Sequence, residues 1–156
     1  KSNTKVYLTP IGDKNYGTYD FLTVLDAASG ALVAQIPASD VTFEVTYDRL
    51  RNQILSVCPE NQFIGTYCIG SLVDVFDLNT LTKVSTIPLS GSSAGVSFLK
   101  HAALSQDSKY FYVPNALASG SVYAIDMATH QVTAIPVGKF PQGIYMQGDS
   151  SVKQYP

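Results

Sequence analysis

Three stretches of this 156-residue chain spell one hairpin: LTVLDAASGALVAQIP (Leu22 to Pro37), LVDVFDLNTLTKVSTIP (Leu72 to Pro88) and SVYAIDMATHQVTAIP (Ser121 to Pro136). Aligned on the aspartate that closes the first apolar run, Asp26, Asp77 and Asp126, the copies are spaced by 77 − 26 = 51 and 126 − 77 = 49 residues. The closing prolines Pro37, Pro88 and Pro136 keep nearly the same step. A period in this range sustained along a chain is the signature of a repeat architecture, and it limits the folds available more than any local motif does.

Each copy holds two runs of alternating apolar and polar residues around a short polar turn, the pattern of an antiparallel β-hairpin. In DAASGA the turn falls on Ser29-Gly30, where glycine takes positive φ without a Cβ clash. The repeated aspartate is expected to cap its turn through backbone N–H groups rather than to do chemistry. Between hairpins lie TFEVTYDRLRNQILSVCP and HAALSQDSKYFYVPN, each broken at a charged turn, so each reads as another strand pair.

The unit is therefore four antiparallel strands in about 50 residues, which is a β-propeller blade. With strands lettered A to D, blade 1 supplies B to D over about residues 5–37, blade 2 covers about 42–88 and blade 3 about 101–136. Strand A of a next blade is expected over about 143–156. The fold class is all-β, a single propeller segment of about three blades.

The stretches AIDMATHQVTAIPVGKFPQGIYM (Ala124 to Met146) and LSQDSKYFYVPN (Leu104 to Asn115) resemble the repeat of YVTN-type β-propellers of bacterial and archaeal envelopes. The third copy fits best; IPASDVTFEV lacks the Gly and Pro of the link between repeats, and IPLSGSSAGVSFLKHAAL carries an insertion there. The resemblance implies a periplasmic, cell-surface or secreted protein. Related propellers include surface proteins, lactonase-like enzymes and the heavy chains of quinoprotein amine dehydrogenases, so the pattern specifies a fold more narrowly than an activity.

Charge narrows the partners. Eight Lys and two Arg are scattered singly in a chain of net charge −2, leaving no basic stripe for a nucleic-acid backbone. No run approaches the roughly 20 apolar residues that span a bilayer. Because a closed propeller takes about four to eight blades, three blades need completion, either by further blades of a longer chain or by a second copy. A start at strand B and a finish after strand A suit both.

Cys58 and Cys68 bracket PENQFIG in the loop between strands B and C of blade 2, and a disulfide is expected there, implying an oxidising compartment. Ten residues apart and with two histidines in the chain, they are no zinc set. The same loop carries Gly65-Thr66-Tyr67 and the equivalent loop of blade 1 carries Gly17-Thr18-Tyr19, which confirms the register of the repeat. The B–C and D–A loops share one face of a propeller, and long loops on a rigid scaffold carry function. Tyr16, Tyr19, Phe63 and Tyr67 are the candidate contacts there.

His101 falls where strand A of blade 3 leaves the insertion, close to the axis on that face, and is the remaining binding candidate; His130 sits in the opposite, C–D turn. No G-x-S-x-G elbow, P-loop or G-x-G-x-x-G motif is present, and no catalytic residue, metal or cofactor is assigned. The expected function is a non-catalytic binding or assembly scaffold acting through the loop face, with a protein partner or second copy. The alternatives from the resemblance are a segment of a periplasmic oxidoreductase propeller, amine dehydrogenase-like or binding haem or copper at His101, and a lactonase-like hydrolase.

Overall fold

In the computed structural model the described residues are 4–8, 21–39, 44–58, 72–89, 101–115, 120–139, 141 and 143–146. Among them are eleven strands: β1 (Lys5–Leu8), β2 (Phe21–Asp26), β3 (Leu32–Pro37), β4 (Glu44–Asp48), β5 (Gln53–Cys58), β6 (Leu72–Asp77), β7 (Thr82–Pro88), β8 (Ala103–Leu104), β9 (Tyr110–Asn115), β10 (Ser121–Asp126) and β11 (Val132–Pro136). They form three antiparallel sheets in the orders β1-β2-β3, β4-β5-β6-β7 and β8-β9-β10-β11. Within each sheet sequential strands are neighbours. The sheets are consecutive blades of an open propeller.

The turn chemistry repeats with the sequence. Asp26 Oδ1 accepts the N–H of Ser29 at 2.8 Å, Asp77 Oδ1 that of Thr80 at 2.9 Å, and Asp126 Oδ1 that of Thr129 at 2.9 Å. Four residues after each aspartate the backbone turns left-handed, at Gly30 (φ 71°), Leu81 (φ 55°) and His130 (φ 59°). Only the first copy uses the residue for which that conformation is free of strain. The residue following each aspartate also donates its N–H to the carbonyl just before the strand paired with its own: Ala27 to Thr4 O, Leu78 to Asn52 O and Met127 to Lys109 O, at 2.9, 3.0 and 2.8 Å.

The cores lie between blades, not within them. Leu22, Val24 and Ile36 of blade 1 pack on Ile54, Phe76 and Leu78 of blade 2. Leu55, Val57, Val73, Val75 and Ile87, on the other side of blade 2, pack on Phe111, Val113, Tyr123 and Ile125 of blade 3. Each sheet thus has a rear face toward the preceding blade and a forward face toward the following one. Blade 2 lies between two others, so β6 is buried from Leu72 through Phe76 without alternation, although the period of two still decides which neighbour each side chain meets. Burying such aliphatic and aromatic side chains contributes roughly 1.5–3 kcal/mol each.

Expectation and structure diverge in the inner strands. Strand A of blade 3 is reduced to the two residues of β8. Gly143 to Met146, where a next strand A is expected to begin, are not a strand, although Ile144 donates its N–H to His101 O at 3.1 Å. One pair of hydrogen-bonding groups is too little to make a ladder.

Candidate functional site

The inner edges of blades 2 and 3 meet at β4 and β8, where Ala102 donates its N–H to Glu44 Oε2 at 2.9 Å. Along this seam runs a cavity of about 680 Å³. Its walls are β4 with its turn (Glu44, Thr46, Tyr47, Arg49, Leu50), residues 101–106 with Ser108, and Ile144 to Met146. The wall thus includes both an acid, Glu44, and a base, Arg49. The volume lies within the range of roughly 300–1,000 Å³ usual for small-molecule sites.

His101 forms part of this wall. Its backbone is left-handed at φ 60°, a conformation that costs a non-glycine residue of order 1 kcal/mol or more. Its ring stacks on Tyr145 with centroids 6.5 Å apart and planes 22° from parallel. Gly143 makes the approach possible, since a Cβ there would come within 3.2 Å of the His101 Cβ. Tyr145 remains 70% exposed, so one side of this aromatic pair is open to a ligand.

His130 is held apart in its turn, its Nδ1 3.1 Å from Ser85 Oγ. Tyr16, Tyr19, Phe63, Tyr67 and Cys68 lie outside the described residues. Cys58 is buried at the end of β5.

Two acidic sites were not singled out in the sequence. Asp74, fully buried in mid-strand, accepts hydrogen bonds from Ser39 N–H (2.6 Å), Ser39 Oγ (2.8 Å) and Thr86 Oγ1 (2.6 Å), with Lys83 Nζ 3.6 Å away. This ties blade 1 to blade 2. Asp48, also fully buried, caps its own turn through Leu50 and Arg51 N–H, pairs with Arg51 Nη1 at 2.9 Å, and accepts from Ser108 Oγ at 2.9 Å. Arg51 donates in turn to Ser108 O at 2.6 Å, so the turns of blades 2 and 3 are locked together. The signal was present: a carboxylate amid LVDVFD must find partners, because an unpaired buried charge is too costly to keep. At the loop end of β9, Asn115 Nδ2 donates to Tyr123 Oη at 3.0 Å while Oδ1 has no partner among the described residues.

The exposed turn acids behave differently. Hydrogen bonds hold the carboxyls of Asp26, Asp77, Asp107 and Asp126 below their ordinary range, led by the Ser29 hydroxyl, the Thr80 N–H, the Ser105 hydroxyl and the Thr129 N–H respectively. Each is spoken for by its own loop, which argues for structure over catalysis. Among the described residues no three His, Cys, Asp or Glu side chains converge on a point.

No family model and no curated protein matches the sequence. Among solved structures the chain is similar to dihydro-heme d1 dehydrogenase NirN in complex with DHE, at a TM-score of 0.62 and 13% identity. The stacked sheets, one of three strands and two of four, agree with this likeness. The fold is a β-propeller segment. The match covers 87% of this chain and 28% of the other, and at that identity it speaks for the propeller fold alone. Among the described residues no helix is long and apolar enough to cross a membrane.

Proposed function

We propose that this chain is a binding propeller of the YVTN type working outside the cytoplasm, and that it holds a ligand or a protein segment in the axial cavity beside His101 and Tyr145. The observation that carries the reading is the exposed Tyr145 ring, stacked on a backbone-strained histidine at the wall of a 680 Å³ cavity that also presents Glu44 and Arg49. A flat aromatic surface in a cavity whose wall also holds an acid and a base suits a polar ligand with an unsaturated or aromatic part. In this reading Tyr16, Tyr19, Phe63 and Tyr67 extend the contact across the loop face, and a Cys58–Cys68 disulfide restrains one of the loops. The oxidoreductase and lactonase alternatives have only the shared fold in their favour.

The test is saturation-transfer NMR with a panel of small aromatic acids and amines. Binders are expected whose signal falls at least tenfold in Tyr145→Ala and is unchanged in Val84→Ala, since Val84 is exposed on the outer strand β7, outside the cavity wall. Binding that ignores Tyr145→Ala would place the site elsewhere.

A further inference from the structure

The polar groups that line the cavity divide into those the fold already uses and those it leaves open. Glu44 is used: its Oε2 accepts the Ala102 N–H at 2.9 Å, which ties the start of β4 to the residue before β8. Ser105 and Ser108 are used as well, their hydroxyls donating to Asp107 at 2.8 Å and to Asp48 at 2.9 Å. Arg49 is not. It lies exposed in the turn after β4 and is the one Lys or Arg of the wall. Arg51, two residues on, is bound to Asp48 and to Ser108 O, whereas the Arg49 guanidinium has no hydrogen-bond or ion-pair partner among the described residues. Thr46, Gln106 and the His101 ring add hydrogen-bonding groups that are likewise unpaired among the described residues.

We propose that the cavity takes an elongated aromatic carboxylate, its ring on Tyr145 and its anionic end on Arg49. This rests on the reading of the cavity as the binding site, and goes beyond it in choosing an acid over an amine and a long ligand over a compact one. Charge sets the first choice. The wall's one carboxylate already serves a backbone N–H, and an ammonium ion would have to share it. A guanidinium with its N–H donors free takes a carboxylate through paired, charge-assisted hydrogen bonds. A wall with one such cation and one carboxylate favours a monoanion over a dianion such as phosphate.

Two contacts between the blades set the length. Ala102 N–H meets Glu44 at the first residue of β4, and Ser108 Oγ meets Asp48 at the last. Those positions are 48 − 44 = 4 steps apart, roughly 13 Å at about 3.3 Å per residue. His101, with Tyr145 stacked on it, is next in the chain to Ala102 at the first contact, and Arg49 follows Asp48 at the second. Allowing for the reach of the arginine side chain, a ring on Tyr145 and a carboxylate on Arg49 are on the order of 10 Å apart. Compact acids such as benzoate or phenylacetate do not span that distance.

Isothermal titration of the chain with phenylhexanoic acid, phenylhexylamine and phenylacetic acid tests both choices. The long acid is expected to bind at least tenfold more tightly than either of the others. Arg49→Gln, at an exposed position without partners among the described residues, should keep the circular dichroism of the parent, weaken the long acid at least tenfold and leave the amine unchanged. Tyr145→Ala should weaken the long acid too, which ties the effect to the cavity. If Tyr145→Ala weakens binding but the amine or the short acid binds as well as the long acid, or Arg49→Gln has no effect, the proposal is overturned and the cavity stands as the site. Long-acid binding indifferent to Tyr145→Ala overturns both. No binding of the long acid at millimolar concentration overturns the proposal on its own.

Discussion

Ile87 and Ile135 hold the same position one blade apart, each directly before the closing proline, yet the first is 2% exposed and the second 42%. Their hairpins are alike, so the difference comes from the neighbour each one has. Ile87→Ala is expected to destabilise the fold by about 2–5 kcal/mol, the usual cost of emptying a packed aliphatic site. Ile135→Ala in the isolated chain should cost under about 1 kcal/mol. Urea unfolding of both variants measures the pair, and equal losses would mean that Ile135 is packed in solution.

Asp74 is the polar weld between blades 1 and 2. Asp74→Asn keeps the shape but turns an N–H₂ toward donors that need acceptors, and should cost about 2–3 kcal/mol. Lys83 keeps 28% of its side chain exposed and can rehydrate, so Lys83→Met should cost under about 1 kcal/mol. Thermal unfolding with the order reversed would show that the ion pair, not the hydroxyl and amide donors, holds the carboxylate.

Acid sensitivity follows from the exposed turn aspartates. Hydrogen bonds lower the carboxyls of Asp26, Asp77, Asp107 and Asp126 below the ordinary 3.8 in the folded chain. A depressed folded value stabilises the fold above the unfolded one and loses that stabilisation as pH falls through the folded one. The melting temperature should therefore drop between about pH 4 and pH 2. Asp77→Asn should flatten that slope while lowering the melting temperature at pH 7. A slope unchanged by the substitution would assign the acid loss to other groups.

Glycine at two positions separates backbone strain from collision. At Gly30 (φ 71°) an added Cβ meets nothing within 4 Å, so Gly30→Ala tests conformation alone and should cost about 1 kcal/mol. At Gly120 (φ 39°) a collision is added to the left-handed backbone, since the Cβ would run into the carbonyl of Gly138. Gly120→Ala should cost more than twice as much, read from the same denaturation series.

Hairpin positions, the capping role of Asp26, Asp77 and Asp126, the left-handed Gly30 and the four-strand unit were all legible in the sequence. Each depends on residues within a few positions of one another, where turn chemistry and period-two alternation act directly. The alternation did not show that β6 would be buried on both faces, because burial there is decided by sheets on either side rather than by the strand.

Asp74 and Asp48 read locally as members of an alternating run and a turn. Thr86 faces Asp74 across the β6–β7 hairpin, but the other partners, Ser39 and Ser108, stand 35 and 60 residues away, and only the stacking of blades brings them within reach. The same holds for His101, whose stack on Tyr145 requires the segment at Gly143 to come close to it. By itself the sequence determined the repeating blade, since that is written in local periodicity. The tertiary structure alone decided which faces meet, which carboxylates are buried and where the cavity opens, since those depend on contacts between residues that the chain's own order keeps far apart.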